Sequence, residues 1–180
     1  MAIFINYRRE DSEGYARSIR DRLTKETDES NVFLDFEIPV GENWRVLIDK
    51  VLSQAQVVIV IIGPRWLEVL KTRVAAGKPD VVRNEIAAGL EKKGVRVIPV
   101  TVGHAQFPDA DALPDNIRGL ADLNAIDLRG STWDRDVDRL AEVLRRAGAL
   151  PNPRRRLMVY GAIAAVLVLL AAGFGLRVEV

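Results

Sequence analysis

The sequence predicts an α/β fold: a parallel sheet of five strands with helices on both faces, followed by one C-terminal transmembrane helix. Short apolar runs alternate with amphipathic segments over residues 1–148, which is the pattern of successive βα units. Residues 57–62, "VVIVII", are apolar at every position, as expected of a strand that is covered on both faces. Residues 157–176 carry no charged side chain, which is typical of a membrane span.

The individual elements follow from the same patterns. The predicted strands are residues 2–7, 31–36, 57–62, 95–102 and 124–128. The predicted helices are residues 44–52, 65–70, 80–90 and 133–147, a helical turn at 114–120, and a first helix with Ser12 as its N-cap. Pro99 indicates that the fourth strand lies near an edge of the sheet or is interrupted. This alternation predicts a doubly wound sheet, whose ligands bind beyond the carboxyl ends of the strands.

Glu85 occupies an unusual position in the predicted helix 80–90. It lies at the border between the apolar stripe of Val82, Ile86 and Leu90 and the polar face. One interpretation is a partly solvated glutamate whose stem packs against the core while its carboxylate reaches water. The other is a carboxylate that a firm backbone aims into the crevice at the strand ends.

The predicted ends of the first two strands supply further candidates for a binding site. Arg8 and Arg9 follow the first strand, where guanidinium groups pair with phosphate oxygens or remain solvated in a loop. Asp35 ends the second strand, and its loop contains Gly41 for close backbone approach and Trp44 as a stacking or core residue. Together with the helix carboxylate, these side chains suit a ligand that contains phosphates and a sugar.

Composition and motifs exclude several other classes of function. The chain has no cysteine, so disulfides and thiolate catalysis are excluded and a reducing compartment fits. A net charge of +1 gives no electrostatic reason to expect nucleic acid as a partner. The sole histidine, His104, lies in a predicted surface turn, so neither a metal site nor a Ser-His-Asp triad is expected. The glycine motifs of Rossmann and P-loop phosphate sites are absent.

The C-terminal region predicts a membrane anchor. Residues 157–176 are long enough to cross a hydrocarbon core of about 30 Å, and the preceding "PNPRRR" places positive charge on the cytoplasmic side. The alternative is a buried helix, but a core helix of this size should show a polar face. The predicted organisation is a domain at 1–148 in the cytoplasm, a basic proline-containing linker at 149–156, a single span of the cell membrane at 157–176 and a short tail at 177–180.

Four blocks of the sequence resemble the bacterial TIR (Toll/interleukin-1 receptor) domain. They are "IFINYRREDS", "VFLDFEIPVGENW", "VVIVIIGPRW" and "VVRNEIAAGLEKKGVRVIPVTV", and they occur in the family's order. The resemblance covers residues 2–148. The resemblance implies a flavodoxin-like sheet of five strands. It also implies that the loop around "IPVGENW" is the BB loop of that family.

The resemblance further implies cleavage of NAD at the nicotinamide–ribose bond, with NAD as a substrate and no cofactor. It assigns Glu85 as the catalytic residue and places Arg8 and Arg9 at the family's first-strand arginines. NAD-cleaving members often carry tryptophan four residues before this glutamate, where this chain has Val81. Stacking on the substrate is then expected from Trp44 or Tyr7.

Two other functions are compatible with the same residues. A TIR domain can act as a non-catalytic adaptor that forms homo-oligomers through its BB loop, here Pro39, Val40 and Gly41. A nucleoside deoxyribosyltransferase-like enzyme would use a glutamate nucleophile in a similar sheet, although the arginine pair and the BB-loop signature favour a TIR domain. The resemblance implies a role in bacterial antiphage defence or stress signalling.

Overall fold

The structure is a computed structural model that describes residues 2–34 and 53–152 of the chain. The predicted loop and helix within residues 35–52 and the predicted membrane span at residues 157–176 lie outside the described residues. The compact unit that contains the sheet ends at Leu150.

Five parallel strands form a single sheet in the order β2-β1-β3-β4-β5. The strands are β1 (Ala2–Asn6), β2 (Val32–Phe33), β3 (Ala55–Ile62), β4 (Arg96–Val102) and β5 (Ile126–Leu128). This is the strand order of flavodoxin-like folds, in which β1 and β3 flank the point where the winding reverses. The predicted five-stranded parallel sheet is confirmed.

Four α-helices are described, and they cover both faces of the sheet. They are α1 (Arg9–Leu23), α2 (Trp66–Ala75), α3 (Val81–Glu91) and α4 (Trp133–Arg146). Short 3-10 helices lie at Glu29–Asn31, Ala110–Ala112, Asp115–Asp122 and Gly130–Thr132. Buried residues of α1 and α4 belong to one apolar cluster, and those of α2 and α3 belong to a second cluster.

Strand β3 separates these two clusters, because successive side chains of a strand point to opposite faces. Val57, Ile59 and Ile61 belong to the cluster that contains α1 and α4. Val58, Val60 and Ile62 belong to the other cluster, and all six are at most 1% exposed. The prediction of a strand buried on both faces is therefore confirmed, although β3 begins two residues earlier than predicted, at Ala55.

The predicted start of the first helix is wrong by four residues. Helix α1 begins at Arg9, with Arg8 at the N-cap position, and the carbonyl of Arg8 accepts the N–H groups of Asp11 and Ser12. Ser12 instead lies at a kink inside the helix, with φ −138° and ψ 20°. A serine that is favourable at an N-cap also tolerates such a kink, because its hydroxyl can reach the backbone of the preceding turn. Here the Ser12 Oγ lies 3.5 Å from the carbonyl oxygen of Arg8.

Pro99 is accommodated because β4 gains its second neighbour only after this residue. Pro99 pairs with Val60 of β3, whereas the pairing of β4 with β5 begins at Val100, opposite Ile126. At Pro99 the strand thus has one described partner strand, and its missing N–H leaves no gap in the ladder with β5. The predicted location of this strand near an edge agrees with the observed sheet.

The last helix leads the chain back into the core. Gly148 has φ +75°, and the N–H of Ala149 reaches the carbonyl of Leu144 at 2.9 Å, which is the hydrogen bond of a Schellman ending. Ala149 and Leu150 are 1% and 3% exposed and join the cluster of α1 and α4. The apolar core of the domain therefore extends two residues beyond the predicted boundary at residue 148.

Candidate functional site

The candidate site lies where the carboxyl end of β1 meets the beginning of α3. We call the group Asn6, Arg8, Asp80 and Glu85 the β1–α3 junction. Asn6 is the last residue of β1, Asp80 is the N-cap of α3, and Glu85 lies in the second turn of that helix. All four side chains are buried, in a region where parallel α/β sheets commonly place ligands.

Glu85 is held by a short hydrogen bond from the first strand. The Nδ2 atom of Asn6 donates to Glu85 Oε2 at 2.6 Å and to the backbone carbonyl of Val82 at 3.2 Å. Glu85 is 8% exposed and Asn6 is 1% exposed. The carboxylate thus sits at the boundary of the core, as its position in the helix predicted, with one oxygen fixed by an immobile amide.

Arg8 forms a buried, bidentate ion pair with Asp80. Its Nη1 and Nη2 atoms lie 3.2 Å and 2.7 Å from the two carboxylate oxygens, and both side chains are 1% exposed. The guanidinium carbon also lies 5.4 Å from the centroid of the Trp66 ring, in cation–π geometry. Arg8 is therefore committed to joining β1 to α3 and to the start of α2.

Asp80 makes a second contact that shapes the helix itself. Its Oδ1 accepts the backbone N–H of Arg83 at 3.2 Å, which satisfies one of the donors that a helix N-terminus leaves unpaired. Because the same carboxylate binds Arg8, the first turn of α3 is fixed to the carboxyl end of β1. The position of Glu85 one turn later follows from this attachment.

The other predicted residues near β1 lie in different environments. Tyr7 is 5% exposed and belongs to the cluster of α1 and α4, whereas Arg9 is exposed and opens α1. Val81, the first residue of α3, is 38% exposed and precedes Glu85 by one turn. An apolar side chain thus lies at the surface beside the buried carboxylate.

Five predicted site residues lie outside the described residues, and their assignments stay predictions. They are Asp35, Pro39, Val40, Gly41 and Trp44. His104 is described, and it lies in an exposed turn after β4 with φ +60°, as predicted for a surface residue. Within residues 2–34 and 53–152, no group of three or more histidine or acidic side chains could hold a metal ion.

Sequence reasoning missed Asn6 and Asp80. Asn6 is the only polar residue of β1, and it stands at the strand's carboxyl end, which is a signal for a buried polar contact. Asp80 precedes the apolar stripe of α3 and is a recognisable N-cap. Neither signal identifies its partner, because Arg8 and Asp80 lie 72 residues apart and Asn6 and Glu85 lie 79 residues apart.

Close packing at the end of β3 holds the neighbouring helix in place. A Cβ atom on Gly63 would collide with the carboxylate of Asp11. The same carboxylate accepts the backbone N–H of Arg65 at 2.8 Å, just before α2 begins. The glycine therefore allows α1 to stabilise the start of α2, which carries Trp66 beneath Arg8.

The fold and the site together define a flavodoxin-like α/β protein in which the carboxylate of Glu85 is buried at the carboxyl end of the first strand. The family model of the TIR domain matches residues 3–144, and the chain belongs to the TIR domain family. TIR domains are signal-transduction domains that commonly assemble through TIR–TIR contacts, and the family includes members that cleave NAD. No curated protein matches the chain.

The predicted membrane anchor stays a prediction. Among the described residues, none of the helices is both long and apolar enough to cross a membrane. The uncharged segment at residues 157–176 lies outside that range.

Proposed function

We propose that this TIR-domain protein cleaves NAD at the nicotinamide–ribose bond, with Glu85 as the catalytic carboxylate. The observation that carries the proposal is the environment of this side chain, which is 8% exposed and bonded to Asn6 at 2.6 Å. A carboxylate fixed in this way needs little reorganisation when positive charge develops next to it.

The chemistry requires a single acidic side chain. The nicotinamide of NAD is already a cationic leaving group and departs as a neutral molecule without a general acid. Departure leaves an oxocarbenium-like ribose, as in glycoside hydrolysis. A preorganised carboxylate facing that ribose lowers the barrier by several kcal/mol. Attack by water then gives ADP-ribose, and attack by the adenine ring gives a cyclic product.

Within this proposal, the two arginines have different roles. The Arg8 guanidinium is 1% exposed and bidentate with Asp80, so its contribution is to hold the site together. Arg9 is exposed at the first position of α1. We assign contact with the substrate phosphates to Arg9, where the beginning of a helix also favours an anion.

In this proposal, residues 157–176 anchor the protein in the cell membrane, and the TIR domain lies in the cytoplasm. Confinement to a surface raises the effective concentration of TIR domains and favours their assembly. Depletion of NAD by such an assembly fits bacterial antiphage defence or stress signalling.

Nicotinamide release by the full chain in liposomes tests the proposal. Glu85→Ala should lower turnover by about 100-fold or more, on the scale of removing a preorganised catalytic group. Glu91→Ala is the matched control, because Glu91 is an exposed glutamate at the end of the same helix. Both variants should still unfold cooperatively above the assay temperature, with the unfolding temperature of Glu85→Ala lowered by the loss of its bond to Asn6. A folded Glu85→Ala protein with full turnover would disprove the assignment.

A second candidate is a non-catalytic scaffold that acts through TIR–TIR assembly. Membership of the TIR family supports it, since TIR domains commonly assemble through TIR–TIR contacts. The scaffold predicts assembly on liposomes without nicotinamide release at any surface density. Substitutions at Pro39 or Val40 in the predicted BB loop should then reduce assembly.

A further inference from the structure

We propose that Asn6 is a positioning residue that sets the orientation of the Glu85 carboxylate. The inference rests on the proposed function of Glu85, and it adds a residue of the first strand to the site. Asn6 donates at 2.6 Å to Glu85 Oε2, and both side chains are buried. Asn6 thereby acts on catalysis through Glu85.

The amide of Asn6 bridges the side chain and the backbone of α3. A carboxamide carries two N–H donors, and Nδ2 reaches both Glu85 Oε2 and the carbonyl oxygen of Val82, the latter at 3.2 Å. The Val82 contact fixes the plane of the amide relative to the helix. The direction of the N–H bond toward Glu85 is then determined.

The donor lies on a buried strand of the sheet, next to the central strand. Asn6 pairs in register with Val60 of the central strand β3, and it is 1% exposed. A glutamate side chain has several rotatable bonds, and a free carboxylate would sample many orientations. A hydrogen bond from an immobile donor removes this freedom, as a preorganised site requires.

The residue type at position 6 is constrained by the charge of its partner. An amide donates to a carboxylate in a charge-assisted hydrogen bond, which is stronger than a neutral one. A carboxylate of the same size at position 6 would have no proton to donate, and its charge would repel Glu85 across the same short distance. Asn6→Asp therefore keeps the size of the side chain but replaces an attractive contact with Glu85 by a repulsive one.

Steady-state kinetics of the full chain in liposomes test the positioning role. Asn6→Leu and Asn6→Asp should lower kcat for NAD by about 10- to 100-fold, the scale on which misorientation of a catalytic group acts. KM should change by less than about twofold, because the lost interaction acts in the transition state. Thr101→Val is the matched control, since Thr101 is also buried, lies near the carboxyl end of β4 and donates its hydroxyl to Asp127. It should keep the wild-type kcat.

A donor–acceptor exchange separates orientation from general damage. Combining Asn6→Asp with Glu85→Gln restores one amide and one carboxylate at the same two positions, with donor and acceptor reversed. The unfolding temperature should return toward the wild-type value relative to Asn6→Asp alone. Turnover should stay lost, because the carboxylate then lies on the strand. Recovered stability with recovered turnover would overturn the proposal.

A spectroscopic readout does not depend on activity. The side-chain amide protons of Asn6, assigned by their disappearance in Asn6→Asp, should include one that is shifted downfield by the bond to Glu85. In Glu85→Ala this proton should move upfield, whereas Glu91→Ala should leave it unchanged. An unchanged signal in Glu85→Ala would refute the contact, and wild-type kcat in Asn6→Leu would refute the role.

These readouts distinguish the two proposals. If the wild-type chain releases nicotinamide but the Asn6 amide proton does not shift in Glu85→Ala, the NAD proposal stands and the Asn6 proposal fails. If the wild-type chain releases no nicotinamide, the NAD proposal fails, and with it the positioning role of Asn6, even where the amide signal responds to Glu85.

Discussion

At the scale of single residues, Arg8 and Asp80 place two opposite charges together inside the core. Both charges are 1% exposed, so each depends on the other for its solvation. Removing one partner leaves an uncompensated charge in the core. Replacing both with apolar residues leaves no buried charge, and the remaining cost is any imperfect packing of the new side chains. The pair also holds the first turn of α3, and Glu85 lies in the next turn of that helix.

We expect Asp80→Ala to lower the free energy of unfolding by about 3–5 kcal/mol, the usual cost of breaking a buried pair. The double variant Arg8→Met, Asp80→Leu should recover a large part of that loss, because no charge is left buried. Chemical denaturation of the full chain in detergent measures the free energy of unfolding of the single and the double variant. Equal losses in the single and double variants would show that the cost arises from packing and not from the orphaned charge.

Gly63 gives a second prediction at this scale. Gly63→Ala should displace the Asp11 carboxylate from the N–H of Arg65 and cost about 1–3 kcal/mol, as overpacking of a tight contact does. Gly14→Ala is the control, since nothing lies within 4 Å of the added Cβ and the residue is inside α1. That change should stabilise the protein by about 0.5–1 kcal/mol. Thermal unfolding of the two variants should shift in opposite directions, and a shared direction would contradict the account.

At the scale of elements, the start of α4 is held by a carboxylate within its first turn. The hydroxyl of Thr132 and the backbone N–H of Arg129 donate to Asp136, and these hydrogen bonds hold the pKa of this carboxyl below its ordinary value of 3.8. A carboxyl whose pKa is lowered by folding stabilises the fold above its unfolded pKa. That stabilisation is lost as the pH falls through the folded pKa.

We therefore expect the wild-type protein to lose stability as the pH falls below about 4, and Asp136→Asn to flatten this dependence. The variant should be less stable than the wild type at pH 7 and nearly equal to it at low pH. Asp134→Asn, an exposed position in the same turn, is the matched control. Unfolding midpoints between pH 2 and 7 measure the effect. If the unfolding midpoints of the wild type and Asp136→Asn fell equally with decreasing pH, the role assigned to Asp136 would be contradicted.

Elements with strong local patterns could be predicted from the sequence. Helix α4 was predicted at residues 133–147 and is observed at Trp133–Arg146, because its apolar positions repeat at helical spacing. Strand β3 was predicted from its unbroken apolar run. The start of α1 was missed because Ser12 satisfies the local rule for an N-cap, while the chain had already turned at Arg8.

The site was only partly predictable for a different reason. The position of Glu85 at the edge of the apolar stripe is a property of one helix and can be read from periodicity. Its bond to Asn6 and the pairing of Arg8 with Asp80 join positions more than 70 residues apart in sequence, so local patterns carry no information about them. Arg8 was therefore predicted as a phosphate ligand, although the fold gives its guanidinium a buried partner.

At the scale of the whole molecule, we expect residues 157–176 to attach the TIR domain to a membrane surface. Val166→Arg places a charge at the centre of residues 157–176, where arginine costs about 2.5–3.5 kcal/mol in membrane insertion. We expect this variant to be released from membranes by alkaline extraction, whereas the wild type and the control Val178→Arg stay bound. A wild-type chain that washes off would disprove the anchor.

The central claim is that the Glu85 carboxylate, held by Asn6, faces the nicotinamide ribose of NAD. An experimental structure of the full chain with a non-cleavable NAD analogue measures this directly. The account predicts a Glu85 carboxylate oxygen within hydrogen-bond distance of the ribose hydroxyls, about 3 Å, with the Asn6 contact intact. An analogue bound away from Glu85, or a Glu85 carboxylate that faces only protein while the ribose lies elsewhere, would contradict it.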